Sequence, residues 1–375
     1  MLYCVRLKKY NLAALALQHI FCLHSRLTPG LSRSRKGKNL RGQALDKKIC
    51  AAAFLLGALS LGSQDMDAAE QKKEVKNARL VLVADFLYWT AAEEGLDFSY
   101  KAQGTPGELP AKDVKIAEFS QPWNTGFRVG LGYRFPHDCW QAKGYVTQFR
   151  TTNPADISAK PGAFIMPNLG QLPGFTSFVC SSGNWHLKYT LFDLELLRSF
   201  FPSKALALTP FLGARFAWIN QNVHVRFPKS SEGNTATLDL KGHNNYGGGG
   251  LRLGSNGQFF LAKYVSFFGS CAFSLLSGHF DVKTHVNSKT ATLFSGEGKP
   301  HRLRANCELR AGAQGTIPLY REQAFLTLGL TYDMVFWFAQ NQLLNFFSSG
   351  SALDVRHGSG DLTLQGISVC TRLDF

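Results

Sequence analysis

Charge is scarce in this chain. Asp, Glu, Lys and Arg make up 18% of its 375 residues, against ~25% in an average soluble domain. No run of 18 apolar residues occurs after residue 70, which excludes a transmembrane helix from that part of the sequence. There is no CxxC pair and no Cys/His spacing of the kind that holds zinc. No stretch after residue 76 reads as a convincing amphipathic helix. The run Gly247–Gly250 lacks the following helix and the Lys-Ser/Thr pair of a phosphate loop. Close backbone approach or a kink in a sheet accounts for it instead.

The front end stands apart. Lys47 and Lys48 precede an apolar stretch from Ile49 to Leu61, and small residues follow as far as Ala69. A basic segment, a short apolar core and a small-residue cleavage site make a secretory signal peptide, here residues 46–69. Residues 1–45 carry the basic run Arg33, Arg35, Lys36, Lys38 and Arg41 and read as a spurious or extended prefix. Residues 1–69 hold 11 Lys+Arg and 3 Asp+Glu, so more than half of the formal +15 lies there. Nucleic-acid binding argued from bulk charge loses its support. Five cysteines follow: Cys139, Cys180, Cys271, Cys307 and Cys370. Export brings them into an oxidising compartment, and their odd number leaves one thiol free or paired with another molecule.

What the chain has in quantity is phenylalanine, 30 residues, and glycine, 36. It also has two-residue periodicity. Ile367, Val369, Thr371, Leu373 and Phe375 alternate with Gly366, Ser368, Cys370, Arg372 and Asp374. Arg302, Arg304, Asn306, Glu308 and Arg310 interleave with Leu303, Ala305, Cys307 and Leu309. Arg128, Gly130, Gly132 and Arg134 interleave with Phe127, Val129, Leu131 and Tyr133. Such alternation marks a strand with two unlike faces. The last segment resembles the C-terminal sorting signal of bacterial outer-membrane proteins, an apolar residue at every second position up to a final Phe.

Ten strands are expected, over 78–91, 124–135, 139–150, 184–198, 206–221, 243–255, 259–276, 301–315, 323–338 and 362–375. Their connections alternate in length. Residues 136–138, 199–205, 256–258 and 316–322 are short; 92–123, 151–183, 222–242, 277–300 and 339–361 are long. Short turns on one side and long loops on the other are the plan of an outer-membrane barrel. The reading is an all-β, transmembrane, antiparallel up-and-down β-barrel over 78–375, after a short periplasmic lead at 70–77. It has about ten strands, with twelve as the alternative if a loop hairpin enters the wall. Val223–Phe227 with Thr235–Lys241 reads as a hairpin stalk, and Phe280–Val286 as part of another. Tyr88, Trp89, Trp218 and Trp337 are candidates for one interfacial girdle, and Trp140 and Tyr320 for the other.

Val83–Trp89, the Ala92-Glu93-Glu94-Gly95-Leu96 that follows, Phe192–Leu196, Pro210–Ile219 and Leu364–Gly366 appear in an order that resembles the Legionella-type major outer membrane protein family. That family forms pores and is also abundant in environmental chlamydiae. The resemblance runs from about residue 79 to 375. It implies an outer-membrane β-barrel with a porin-like role and supplies no catalytic residue.

By alternation, Arg128, Arg215, Arg252, Arg302, Arg304, Asn306, Glu308, Arg310, Asp333 and Arg372 line the lumen. Asp85 and Asp374 join them; Asp193 and Glu195 do so unless their strand switches face near Phe192. Two functions follow. One is a water-filled channel for small hydrophilic solutes, preferring anions because arginine dominates the face. The other is a structural or adhesive barrel whose lumen is closed, since ten strands enclose a narrow bore. An enzyme would need acids and histidines gathered at the loop rim, and His243, His279, His285 and His301 show no spacing that fixes a dyad. No cofactor or metal is expected. The expected partners are outer-membrane lipid, the barrel-assembly machinery through the Phe375 strand, and disulfide-linked envelope proteins through Cys139 or Cys180; nucleic acid is not among them. Cys307 faces lipid and Cys370 the lumen in this register.

Overall fold

A computed structural model describes residues 79–104, 112–136, 138–168, 177–230, 237–289, 291–319, 323–349 and 352–375. The prefix, signal peptide and lead read from the sequence, and Tyr320, lie outside them. The strands in chain order are β1 (Leu80–Glu93), β2 (Ser99–Gln103), β3 (Lys112–Ala117), β4 (Asn124–Arg134), β5 (Trp140–Ser158), β6 (Ala163–Pro167), β7 (Phe178–Arg198), β8 (Phe200–Ser203) and β9 (Leu206–Ser230). They continue as β10 (Leu238–Ala262), β11 (Val265–Ser288), β12 (Thr292–Gly298), β13 (His301–Leu319), β14 (Ala324–Trp337), β15 (Leu344–Ser349), β16 (Ala352–His357) and β17 (Leu362–Asp374).

Ten of these make a closed antiparallel ring, β1-β4-β5-β7-β9-β10-β11-β13-β14-β17 and back to β1. The seam between β1 and β17 runs from Val81↔Asp374 to Glu93↔Leu362. Closure satisfies every edge that an open sheet would leave to lipid. The other seven strands sit in the connections. The twelve-strand alternative fails because the two loop hairpins prolong wall strands and do not enter the wall. β9 and β10 stay paired out to Phe227↔Leu238, and β11 beyond Val282 pairs with β12.

One turn differs from the sequence reading. Asn256-Gly257-Gln258 is no turn; β10 runs through it to Ala262, and Lys263 and Tyr264 link it to β11. Asn-Gly is a strong turn signal. The alternation nevertheless keeps its phase across it, because Leu251, Leu253, Phe259 and Leu261 all point out of the barrel and are exposed. Burying both flanks in lipid outweighs the local turn preference.

The two faces are chemically distinct. Phe86, Phe127, Val129, Leu131, Leu194, Leu196, Leu212, Phe216, Leu303, Leu330 and Val369 face outward and are exposed, forming an apolar band. On β9 the band extends from Leu208 to Trp218, the length that roughly 9–11 tilted residues need to cross a bilayer. Tyr88, stacked on Trp123 at 5.2 Å, and Trp218 are exposed at its loop end. Trp89 and Trp337 leave the expected girdle: both point inward and are at most 1% exposed.

Candidate functional site

The bore has two layers. In the layer nearer the short turns, arginines and acids from neighbouring strands of the ring meet. Arg215 on β9 donates to both carboxylate oxygens of Asp193, at 2.6 and 2.7 Å, and reaches past β10 and β11 to Asn306 and Glu308 on β13. Arg252 on β10 bonds Glu195 and Glu308, each at 2.9 Å. Arg310 on β13 bridges Asp333 at 2.9 Å and Asp85 at 2.7 Å. Arg128 on β4 reaches the same two acids at 3.2 Å (Asp85) and 3.8 Å (Asp333). Arg372 and Arg134 share Asp374 at 2.7 and 3.3 Å. Each arginine presents a planar fork of donors, and paired carboxylates satisfy it.

Alternation put all of these side chains but Asp193 and Glu195, whose face it left open, on the inner face, and they point inward in the structure. Asp193 and Glu195 are inward too, so their strand does not switch at Phe192. Pairing was not readable, because partners such as Asp85 and Arg310 are far apart in the sequence. Arg302 and Arg304 share the parity but not the network. Arg302 is exposed toward the loops, and Arg304 lies over the Phe280 ring at 4.9 Å. The network itself lines a cavity of about 260 Å³ of mixed polar and apolar walls, together with Lys143, Tyr145, Phe211, Gln258 and Phe268 among others.

The layer nearer the loops is apolar, which the sequence reading missed. Leu87, Trp89, Phe149, Tyr189, Tyr246, Leu276, Phe280 and Trp337 all point inward and are fully buried. Tyr189 on β7 and Trp337 on β14 meet across the bore: the indole Nε1 donates to the tyrosine hydroxyl at 3.1 Å. Tyr246 packs on Phe280 at 4.7 Å and Trp89 on Phe149 at 5.8 Å. A Cβ on Gly248 would strike the Tyr246 hydroxyl, so the glycine run makes room for this ring. Ser368 ties the layers together, accepting from Trp89 Nε1 at 3.1 Å and donating to Asp333 at 2.9 Å. The signal for this layer was present as bulky inward residues at the loop ends of strands, but such rings fit a lipid girdle equally well.

Above the aromatic layer, the β14–β17 connection enters the mouth. Gln340 and Asn341 are fully buried. The Gln340 carbonyl accepts from Asn244 on β10 at 3.0 Å, and Asn341 donates to the Glu94 carbonyl at 2.9 Å. Gln221 on β9 donates to Glu93 on β1 at 3.1 Å.

Among the described residues no two thiols are joined. Cys370 faces the bore beside Thr331 at 3.6 Å, and Cys271 and Cys307 face outward within the apolar band. Cys139 sits at the turn before β5. Cys180 belongs to β7 and not to a loop, since the wall strands outrun the apolar band on that side. The histidines are spread over the outer surface of the strand extensions: His243 bonds Asn222 at 2.6 Å, His285 bonds Ser295 and His301 bonds Ser277, each at 2.9 Å. Among the described residues no group of three or more His, Cys, Asp or Glu side chains is placed to hold a metal.

No curated protein matches the chain. Among solved structures it is similar to the outer membrane protease OmpT of Escherichia coli, with 9% identity, 80% of this chain and 97% of that chain covered, and a TM-score of 0.41. It is similar to the translocator domain of the autotransporter NalP of Neisseria meningitidis, with 9% identity, 82% and 96% covered, and a TM-score of 0.33. The outer membrane protein OprG of Pseudomonas aeruginosa gives 9% identity, 79% and 98% covered, and 0.25. The model of the family described as Legionella pneumophila major outer membrane protein precursor matches residues 75–375. That span takes in the whole ring and everything inside it, and the chain belongs to the Legionella major outer membrane protein family.

Proposed function

We propose that this outer-membrane barrel is a structural and surface-presenting protein whose bore is shut, and not an open diffusion channel. The observation that carries the reading is the contact of Tyr189 with Trp337, on strands that face each other across the bore, above a layer in which Arg215 and Arg252 reach Glu308. A water-filled pore needs a continuous polar lumen, and a fully buried aromatic layer interrupts it here. Arg128, Arg215, Arg252, Arg310 and Arg372 each pair with an acid, so their charge is spent on one another and anion preference gains no support. The strand extensions and loops carry the surface role. Export by the 46–69 signal peptide, and delivery through the β17 strand ending at Phe375, belong to the same proposal.

Planar bilayers test it. Purified, folded protein is expected to give no steady single-channel steps. Ohmic steps with anion-selective reversal potentials would restore the diffusion-pore reading. A second reading has one observation in its favour: the cavity of about 260 Å³ supplies part of a solute path that would be completed if the loop segment at Gln340 and Asn341 left the mouth. Conductance that appears only after that loop is shortened would select it.

A further inference from the structure

On the outward faces of β5 and β7 the residues pair as Val146↔Phe192, Gln148↔Thr190, Arg150↔Lys188 and Thr152↔His186. The first two pairs end the apolar band. The third sets two cations directly opposite each other, both exposed. Among the described residues neither makes a hydrogen bond or an ion pair. Along the same rung the next neighbours are Asn220 on β9 and Asn245 on β10, and the first acid is Asp281 on β11. Like charges directly opposite in a sheet repel, so an anion between them stabilises the arrangement.

The position says which anion. Trp218 pairs with Thr190 and is exposed, and the stacked Tyr88 and Trp123 mark the same end of the band. This is headgroup level. On the same two strands, six residues closer to the turns, an apolar groove of about 490 Å³ opens in the lipid-facing wall. Its outward floor on β5 is small, with Ala142 and Gly144, and its rims are Leu131 and Tyr133 on β4 and Leu194 and Leu196 on β7. The separation is about 20 Å at ~3.3 Å per residue, within reach of an acyl chain hung from a headgroup.

We propose that Arg150 and Lys188 bind the phosphate of an outer-leaflet lipid whose acyl chain lies in the groove at Gly144. Arg150 supplies a two-pronged donor and Lys188 a compact charge. Thr152 and His186, bonded to each other at 2.8 Å one rung farther out, close the top of the site. The site is on the lipid face and operates whether the bore is open or shut.

Native mass spectrometry of the folded barrel in neutral detergent tests it, with dioleoyl phosphatidic acid, dioleoylglycerol and inorganic phosphate as probes. Phosphatidic acid is expected to be retained at least tenfold better than dioleoylglycerol, and an excess of inorganic phosphate is expected not to displace it. Arg150→Gln with Lys188→Gln is expected to lower retention at least tenfold, while Lys241→Gln with Lys283→Gln leaves it unchanged. Gly144→Leu, which fills the groove, is expected to weaken retention with both cations in place. Equal retention by the Arg150/Lys188 variant, equal retention of dioleoylglycerol, or displacement by inorganic phosphate would each overturn the proposal. Heat-modified gel mobility reports that each variant is folded.

Discussion

Arg215 is 1% exposed, and its guanidinium is held by Asp193, Asn306 and Glu308. Replacing it with Met leaves two carboxylates in the bore with fewer partners. Breaking one side of a buried ion pair costs about 3–5 kcal/mol, and Arg215→Met is expected to lower the urea midpoint of unfolding from vesicles. Arg302→Met, outside the network, is expected to shift it little. If the two variants unfold alike, the network contributes no stability. At this scale alternation gave most side-chain directions, since a strand offers only two, although the girdle reading turned Trp89 and Trp337 the wrong way. It could not tell whether Arg304 meets an acid or a phenyl ring, because that depends on which distant strands lie opposite. The thiols give a second test. A charged maleimide added to barrels in detergent micelles is expected to label Cys180 and Cys139 well ahead of Cys271 and Cys307, which face outward in the apolar band. Fast labelling of Cys307 would shift the β13 register by one residue and turn its faces over.

The elements were legible in number and order, because ten alternating segments separated by unequal connections admit few other folds. Their ends were not. β5, β7, β9, β10 and β11 all run past the expected boundaries at the loop end, where outward residues turn polar while inward Val223, Val225, Phe227, Phe280, Val282 and Val286 on β9 and β11 stay apolar. The sequence there looks like a loop from one face and a strand from the other. Within β17, Gly366 packs against β1, and an added Cβ would strike the Tyr88 carbonyl oxygen. Gly366→Val is expected to destabilise the seam by about 1–3 kcal/mol, the usual range for overpacking. A lowered temperature for loss of the compact gel form would register it, and an unchanged one would mean that β1 and β17 yield easily.

For the molecule as a whole, the decisive quantity is whether ions cross. Trp337→Ala removes the ring that meets Tyr189 and leaves a cavity in the aromatic layer. The variant is expected to lose about 3–5 kcal/mol of stability and to show brief conductance bursts absent from the parent. If parent and variant conduct alike, the aromatic layer does not shut the bore. Removing residues 340–358 as well is expected to lengthen the bursts, since Gln340 and Asn341 bind the opposite walls.

The β1–β17 seam has a consequence in time. Leu80 donates to the Phe375 carbonyl at 2.7 Å and Phe375 donates back to Leu80 at 2.9 Å, so the first wall strand waits for the last. Loops that must close before contacts form slow folding, and this ring requires the longest closure its own strands allow. Until β17 is delivered, β1 and β14 are both bare edges, ready to take a strand from another chain. Such a chain must be kept apart from its own kind for the whole interval between synthesis of Leu80 and docking of Phe375. Its success in a cell is therefore governed by escort and by rate as much as by the stability of the finished wall.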